Sequence, residues 1–385
     1  MTVVPTPDRK GLWLAGRRSG MDATFDGTAV RAGSAAREQF YDARGYGRPD
    51  DGGVVLAPVE AAHLLFRGDL DSVVDRRPAG NGRRLDFPDF LASTAVSEVD
   101  FFVYKDLRDR GFYLSPVDRG GAGSGGAGAT GGPGEFAVYP RGKGPWDDAV
   151  AYRVRAVSER ATVDAGALHR LAAPAGDDTA GKAGRKPTGV LAVVDEESET
   201  TYLELGTPTL SGSTHHDLPP AEGDLLADRV LVWDAPDPLY GRAFYGQPLD
   251  DGVQLSLVEA AYLARASLLT VDGGEEAVVE RGREVEGDRF DRRLRAYGAL
   301  RTAGIVPKTG FKFGADFRTY DDVADVADLG HSERLVRVLP PEYGFAPRDL
   351  ALDVRLAHGV RKRMVYALTG TDGGLTWLSV GRLTP

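Results

Sequence analysis

Residues 40–70 read FYDARGYGRPDDGGVVLAPVEAAHLLFRGDL, and residues 239–269 repeat the pattern as LYGRAFYGQPLDDGVQLSLVEAAYLARASLL. Both stretches pass from DDG through an apolar, strand-like run to VEAA, which opens an amphipathic helix. Similarity on this scale within one chain indicates an internal duplication. The fold of one half therefore predicts the fold of the other.

Further pairs of matching segments follow in the same order. They are VYKDLRDRGFYL (103–114) with AYGALRTAGIVP (296–307), FAVY (136–139) with FRTY (317–320), HRLA (169–172) with VRLA (354–357), and VLAVVDEESETTYLEL (190–205) with VYALTGTDGGLTWLSV (365–380). The first pair predicts helices that are each closed by a glycine, and the last predicts hairpins. We therefore expect an α+β fold in tandem duplication, each repeat having a small mixed N-terminal subdomain and a β-rich C-terminal one.

The two repeats meet at a segment rich in Gly, Pro, Ser and Thr, LGTPTLSGSTHHDLPPAEGD (205–224), which is typical of a linker. We place the subdomains at residues 1–85 and 86–220 in the first repeat, and at 221–285 and 286–385 in the second.

Composition excludes several kinds of site. The chain has no cysteine, so disulfides, thiol catalysis and cysteine-ligated metals are excluded. The six histidines are scattered without metal-ligand spacing, and no apolar run is long enough to span a bilayer. We expect a soluble, cytoplasmic protein with no metal site and no cofactor.

Charge is unevenly distributed. The net charge is −10, and only eight of the 47 basic residues are lysines, a composition that suits a high-salt cytoplasm. Residues 289–385 nevertheless hold 16 basic and 11 acidic residues. This basic C-terminal region predicts an anionic partner, such as a phosphate backbone.

Some conspicuous signals have plain structural readings. The glycine-rich run 119–134 lacks a GK[ST] ending and is expected to be a flexible insertion, not a phosphate-binding loop. Residues 173–187 look like a second insertion, and the pair His215–His216 reads as a solvated loop. The helix-opening Glu60 and Glu259 are interpreted as structural.

Three residues of the second repeat are candidates for chemistry. Tyr320 ends the predicted strand FKFGADFRTY (311–320), and its counterpart in the first repeat is Tyr139. His331 has no histidine counterpart, and Lys362 lies where a predicted helix leads into a strand, opposite the insertion of the first repeat. Taken singly, the tyrosine reads as a strand residue and the lysine as a solvated charge.

The span GFKFGADFRTY…HSERLVRVL…RLAHGVRKRMVYAL resembles the catalytic half of archaeal tRNA-splicing endonucleases. The first repeat, with YKDLRDRGFYL, EFAVYPRGKGP and VVDEESETTY, resembles the non-catalytic half of the same family. The fusion of the two resembles the homodimeric class, and the composition suggests a halophile. The resemblance implies a restriction-endonuclease-like fold for the C-terminal subdomains.

The resemblance also implies an activity and a catalytic triad of Tyr320, His331 and Lys362. The expected reaction cuts precursor tRNA at bulge–helix–bulge splice sites by metal-independent attack of the 2′-hydroxyl, leaving a 2′,3′-cyclic phosphate and a 5′-hydroxyl. Tyr320 would be the base or would orient the nucleophile, His331 would be the acid, and Lys362 would stabilise the transition state.

Two further sets of residues follow from the resemblance. Arg355 and Arg382 would clamp a flipped-out base, and Arg361 and Arg363 would meet phosphates. An acidic turn would dock into a cationic groove of the second chain of a homodimer; its residues are Asp195, Glu196, Glu197 and Glu199. The strands beside this turn and its counterpart are suited to edge pairing between the repeats.

Two alternatives stay open at this level. The chain could be a non-catalytic RNA-binding or scaffold subunit, against which the triad argues. It could also be a metal-dependent DNA nuclease, but no PD…(D/E)xK cluster surrounds the RKR segment at 361–363.

Overall fold

The computed structural model describes residues 21, 23–117, 135–147, 149–173, 186–215, 217–340, 342–370 and 373–385. The glycine-rich run 119–134 and most of the insertion 173–187 lie outside the described residues. Those described form two compact units, one of residues 21–117 with 136–149 and the other of residues 150–385. None of the described helices is both long and apolar enough to cross a membrane.

The first unit holds the N-terminal part of the first repeat. Its elements are β1 (Ala23–Phe25), β2 (Val30–Ala32), α1 (Ser34–Ala36), a π-helical turn (Arg37–Asp42), β3 (Arg48–Asp50), β4 (Gly53–Leu56), α2 (Pro58–Phe66), β5 (Val73–Asp75), β6 (Arg84–Leu85), α3 (Phe87–Ala92), α4 (Glu98–Asp109), β7 (Leu114–Pro116) and β8 (Glu135–Val138). Its mixed sheet has the order β3-β4-β2-β1-β5-β6.

The second unit begins with the remainder of the first repeat and the N-terminal part of the second. These elements are β9 (Tyr152–Ser158), β10 (Val163–Asp164), α5 (Ala165–Ala172), β11 (Thr188–Val194), β12 (Thr200–Gly206), β13 (Ala221–Glu222), β14 (Asp224–Leu225), β15 (Arg229–Val232), α6 (Asp237–Gly241), β16 (Gln247–Leu249), β17 (Gly252–Ser256), α7 (Leu257–Arg265), β18 (Leu269–Thr270) and α8 (Gly274–Glu286). Here β14-β15-β17-β16 form an antiparallel sheet.

The C-terminal part of the second repeat completes this unit. Its elements are α9 (Asp288–Thr302), β19 (Val306–Thr309), β20 (Phe317–Tyr320), β21 (Arg334–Leu339), β22 (Gly344–Phe345), α10 (Pro347–Gly359), β23 (Arg363–Thr369) and β24 (Leu375–Leu383). Single turns of 3₁₀ helix cover Phe311–Phe313 and Val326–Asp328. The α+β fold with an internal duplication is thus confirmed.

The large sheet of this unit shows the duplication directly. Its strands are hydrogen-bonded in the order β19-β20-β21-β23-β24-β12-β11-β9. Strands β12 and β24 pair antiparallel at the centre, from Tyr202 opposite Leu383 to Gly206 opposite Ser379. On either side the pattern is the same, because β11 runs parallel to β9 and β23 parallel to β21. The edge pairing expected between the repeats is therefore present.

Two apolar cores lie on opposite faces of this sheet. Alternate residues of β21 divide between them: Val336 and Val338 pack towards α7, α8 and α9, whereas Leu335 and Leu339 pack towards α5 and α10. Burial on both faces fixes the register of the strand, because a slip by one residue would exchange the two sets of side chains.

The helices preceding the β-rich subdomains end as the sequence predicts. Gly111 follows α4 with φ 86°, and Gly304 follows α9 with φ 76°, in the left-handed region that favours glycine. The strand expected over 311–320 is shorter than predicted, since it begins only at Phe317. Gly314 has φ 67° and closes a tight turn, so residues 311–316 form the tip of the hairpin.

Candidate active site

Tyr320 is the last residue of β20, and its side chain is buried. The ring packs edge-on against Phe244, with 5.6 Å between ring centroids, and belongs to a small apolar cluster with Val306 and Val323. The guanidinium of Arg318 lies 6.0 Å from the centre of the ring. Among the described residues, the Tyr320 hydroxyl has no hydrogen-bond partner. The ring is therefore held by packing, while the hydroxyl is left available.

The loop that follows Tyr320 is held by the segment joining the repeats. The Ser213 amide donates to the Asp321 carbonyl at 2.9 Å, and the Val323 amide donates to Thr214 Oγ1 at 2.9 Å. Composition predicted a linker here, and one of its residues, Thr214, is buried against this loop. The segment supports the loop that carries the next candidate residue.

Two glycines explain how the linker can lie so close to the turn that follows α9. A Cβ on Gly212 would lie 2.3 Å from the Gly304 carbonyl oxygen, and one on Gly304 would lie 2.5 Å from that of Gly212. Neither position has room for a side chain. His215, read as a solvated residue, is exposed as predicted, whereas His216 lies outside the described residues.

His331 sits at the end of this loop with its imidazole exposed. The ring makes no hydrogen bond or ion pair with any residue that the structure describes. The next residue, Ser332, is buried, and its carbonyl accepts a hydrogen bond from Lys362 Nζ at 2.7 Å. Lys362 Nζ is thus bonded to the backbone of the residue that directly follows His331.

Lys362 occupies the turn between α10 and β23, as predicted. Arg361 adopts a left-handed conformation, with φ 57°, and the Lys362 amide donates to the Ala357 carbonyl at 2.8 Å, which ends the helix. The ammonium lies 5.8 Å from the centre of the Phe313 ring. Partial burial lowers the pKa of Lys362, the charge of Glu333 opposes this shift, and the charge of Arg318 adds to it.

Strand register brings the three candidates to one end of the sheet. Thr319 of β20 lies opposite Arg334 of β21, and Arg334 lies opposite Arg363 of β23. Each candidate is close in sequence to one of these paired residues: Tyr320 follows Thr319, His331 precedes Arg334, and Lys362 precedes Arg363. The ends of three neighbouring strands therefore place the candidates at the same end of the sheet.

A cavity of about 620 Å³ opens beside Lys362. Three of the four arginines predicted to bind RNA line it, namely Arg361, Arg363 and Arg382. The fourth, Arg355, is exposed on α10 and does not line the cavity. It lies one turn before His358 and Gly359, which do line it, and therefore shares their face of the helix.

The cavity also contains two carboxylates that the sequence analysis did not single out. Glu204, on β12 of the first repeat, accepts from Arg363 Nη2 at 2.8 Å. Glu333 lies at the start of β21 beside Lys362. Glu333 could have been noticed from its position two residues after His331. Nothing in the sequence near Glu204 indicates that the first repeat reaches this cavity.

The predicted docking turn lies between β11 and β12. The Asp195 carboxylate accepts from the amides of Glu197 and Glu199, both at 2.9 Å, so Asp195 builds the turn itself. Glu196 pairs with Arg160 at 2.6 Å. The remaining side chains, of Glu197 and Glu199, are exposed and form no ion pair with the described residues.

The structural reading of Glu60 and Glu259 is confirmed. Glu60 accepts from the amides of Gly47 and Ala57, each at 2.8 Å. Glu259 accepts from the Gly246 amide at 2.9 Å and pairs with Lys308 at 3.0 Å. Burial alone would raise the pKa of Glu259, but the charge of Lys308 and these hydrogen bonds lower it to about 2.

Comparison with family models gives two kinds of match. The model of the tRNA intron endonuclease catalytic C-terminal domain matches residues 290–377. The model of the N-terminal domain of the same family matches twice, at residues 21–91 and 221–281. The double match agrees with the internal repeat, and the catalytic model covers Tyr320, His331 and Lys362.

Curated relatives match along nearly the whole chain. A tRNA-splicing endonuclease of the halophilic archaeon Haloarcula marismortui is 59% identical over 369 residues, covering 95% of this chain and 100% of that protein. The tRNA-splicing endonucleases of Natronomonas pharaonis and Haloferax volcanii are 54% and 50% identical, with the same coverage of both chains. These matches confirm the resemblance read from the sequence: the chain is an endonuclease and belongs to the tRNA intron endonuclease family.

Proposed function

We propose that this protein cuts precursor tRNA at bulge–helix–bulge splice sites by metal-independent attack of the 2′-hydroxyl on the adjacent phosphate. The observation that carries the proposal is the hydrogen bond from Lys362 Nζ to the Ser332 carbonyl. It lies at the end of the sheet where β20 ends with Tyr320. A base, an acid and a cation close to one another are what this reaction requires.

The reaction balances without an external cofactor. The 2′-oxygen forms a bond to phosphorus as its proton leaves, and the bond from phosphorus to the 5′-oxygen breaks as that oxygen gains a proton. The products are a 2′,3′-cyclic phosphate and a 5′-hydroxyl. Tyr320 takes the first proton or orients the hydroxyl, and His331 supplies the second proton. Lys362 stabilises the negative charge that develops on the non-bridging oxygens of the phosphate.

The availability of the groups supports these roles. The Tyr320 hydroxyl and the His331 imidazole form no hydrogen bonds within the described residues, so a substrate that bonds to either group replaces no hydrogen bond of the protein. An imidazole titrates near neutral pH, which suits an acid that must be regenerated in each turnover. Partial burial lowers the pKa of Lys362, and the neighbouring Glu333 charge, which opposes that shift, favours the protonated ammonium that this role needs.

Binding of the substrate is assigned to the arginines around the cavity. Arg361 and Arg363 are exposed and would contact phosphates, and Arg382 lines the same cavity from β24. In our proposal Arg355 and Arg382 stack on an unpaired base of the bulge. Guanidinium stacking suits bulged RNA because an A-form duplex presents little sequence information to side chains.

We also propose that two chains form a homodimer through the acidic turn at residues 195–199. Exposed carboxylates of Glu197 and Glu199 provide the charge. A groove of about 460 Å³ in the second repeat could receive the acidic turn because cationic side chains outnumber carboxylates in its lining by four to two. The four cationic residues are Arg229, Arg293, Lys308 and Arg318. The turn of one chain would enter this groove on the other.

One experiment tests the reaction. Purified protein is incubated with an intron-containing precursor tRNA in EDTA, and in parallel with Mg²⁺. Excision in EDTA that leaves cyclic phosphate ends supports the proposal. Cutting only with Mg²⁺ would contradict it and favour a metal-dependent nuclease. Binding without cutting in either buffer would favour a scaffold subunit.

A further inference from the structure

Glu333 belongs to the segment of His331 and is bonded to the two other segments that carry the proposed catalytic residues. Its backbone amide donates to the Thr319 carbonyl at 2.9 Å, just before Tyr320. Its backbone carbonyl accepts from the Arg363 amide at 3.1 Å, just after Lys362. Its carboxylate Oε2 accepts from the Asp321 amide at 3.1 Å, just after Tyr320. Two of these bonds belong to the backbone and any residue could make them, but the third needs this side chain.

The side-chain bond fixes the entry into the loop that ends at His331. Asp321 is the first residue after β20, and it also forms an ion pair with Arg334. The Glu333 carboxylate thus bridges the two ends of the loop, residues 321 and 333. A loop tied at both ends has fewer conformations open to it, which keeps His331 near Tyr320 and Lys362.

The same carboxylate acts on Lys362 electrostatically. Charged and titratable groups face Lys362 from each element that packs against it: Arg318 of β20, Glu333 at β21, Arg361 and Arg363 beside it, His358 of α10, Glu204 of β12 and Arg382 of β24. Burial lowers the pKa of Lys362 most, and the charge of Arg318 lowers it further. Glu204 is engaged by Arg363, which leaves Glu333 as the carboxylate that raises the pKa of Lys362.

We propose that Glu333 is a positioning residue of the cleavage site, which ties the His331 loop to the end of β20 and places a negative charge beside Lys362. This inference rests on the proposed function only in taking this cluster of residues to be the RNA cleavage site. The bonds and charges themselves are properties of the folded chain.

The two roles are separable by substitution. In Glu333→Gln the side-chain carbonyl can still accept from the Asp321 amide, but the charge is gone. In Glu333→Ala both are lost. The matched control is Glu280→Gln, which removes the same charge from an exposed position on α8.

The charge role is tested by titrating Lys362 directly. The chain has eight lysines, so a ¹³C-lysine NMR spectrum of the full-length protein is sparse, and the Lys362 signal is assigned as the one missing from Lys362→Arg. We expect Glu333→Gln to lower the titration midpoint of Lys362 by about one pH unit, and Glu280→Gln to leave it in place. An unmoved midpoint in Glu333→Gln would overturn the charge role.

The positioning role is tested by single-turnover cleavage of a bulge–helix–bulge RNA across pH, with circular dichroism to verify folding. We expect Glu333→Gln to keep most of the plateau rate while its alkaline limb moves to lower pH. Glu333→Ala should lose on the order of 10–100-fold in the plateau as well. Equal plateaus in the two variants would overturn the positioning role.

Failure of the reaction itself would look different. If the wild-type protein did not cut in EDTA, the proposed function would fail, yet the lysine titration would still decide whether Glu333 controls the charge of Lys362.

Discussion

The two repeats share a buried framework but use it differently. In the first, the Arg108 guanidinium lies 3.7 Å from the centre of the Tyr46 ring; in the second, Arg301 lies 3.8 Å from that of Tyr245. In both, a helix-opening glutamate accepts from a glycine amide, at 2.8 and 2.9 Å. The duplication has therefore kept the same packing of arginine, tyrosine and glutamate.

The difference appears seven residues after each framework arginine. The first repeat has Ser115 there, and its hydroxyl accepts from Tyr139 Oη at 3.2 Å. The second has Lys308, whose ammonium turns inward to Glu259 and the Gly246 carbonyl. The Tyr139 hydroxyl therefore donates a hydrogen bond to a neighbouring side chain, whereas the Tyr320 hydroxyl forms none with the described residues. Equivalent tyrosines of the two repeats therefore differ in their hydrogen bonding.

Among the features that distinguish the second repeat from the first, His331 should have the largest effect on the cleavage rate. Replacing it with alanine should slow cleavage about 10²–10⁴-fold, because a general acid contributes on that order, while RNA affinity stays near that of the wild type. Single-turnover cleavage and filter binding measure the two. His215→Ala, at an exposed histidine, is the control. Turnover that survived in His331→Ala would remove the acid from our mechanism.

Lys308 should matter more to stability than its counterpart. Lys308→Met leaves the buried Glu259 carboxylate unpaired and should cost about 3–5 kcal/mol in the free energy of unfolding. Ser115→Ala removes one hydrogen bond and should cost about 1 kcal/mol. Chemical denaturation followed by circular dichroism gives both values. Similar losses in the two variants would mean that the buried pair is no more important than the serine.

The tyrosines provide a matched pair for catalysis. Tyr320→Phe should slow cleavage about 10²-fold or more, because the free hydroxyl is lost from the site. Tyr139→Phe should leave the rate unchanged, since the first repeat lacks counterparts of His331 and Lys362. If both variants cut at the wild-type rate, the tyrosine of the second repeat would be structural as well.

The smallest expected effect concerns assembly. Reversing the charges of Glu197 and Glu199 to lysine should move the protein from dimer towards monomer in light scattering after size exclusion, while Asp195 stays in place to hold the turn. Glu276→Lys with Glu280→Lys, on exposed positions of α8, is the control for added charge. A dimer that persisted equally in both would show that the turn does not dock.

Much of the fold could be predicted because the signals are local. Strand alternation, the glycines after α4 and α9 and the helix-opening VEAA motifs each act over a few residues. The packing of the linker could not be predicted, since Gly212 and Gly304 are nearly one hundred residues apart in a segment that reads as loop. Long-range contacts between backbones leave no pattern in a single sequence.

The site divides in the same way. Tyr320, His331 and Lys362 stood out because the first repeat supplies an internal control that lacks the last two. The bond between Lys362 and the Ser332 carbonyl has no signature, because every residue has a carbonyl. The carboxylates of Glu204 and Glu333 were missed because they look like ordinary strand-end charges until the sheet brings them to the cavity.

The central pairing of β12 with β24 has a consequence for how the halves meet. Because both strands belong to one chain, their pairing is an intramolecular contact that does not depend on protein concentration. The contact can therefore be weak by the standards of free subunits and still be occupied in nearly every molecule. Proteolysis of the connecting segment would convert it into an ordinary bimolecular equilibrium, and Glu204 would then reach the cavity only in proportion to protein concentration.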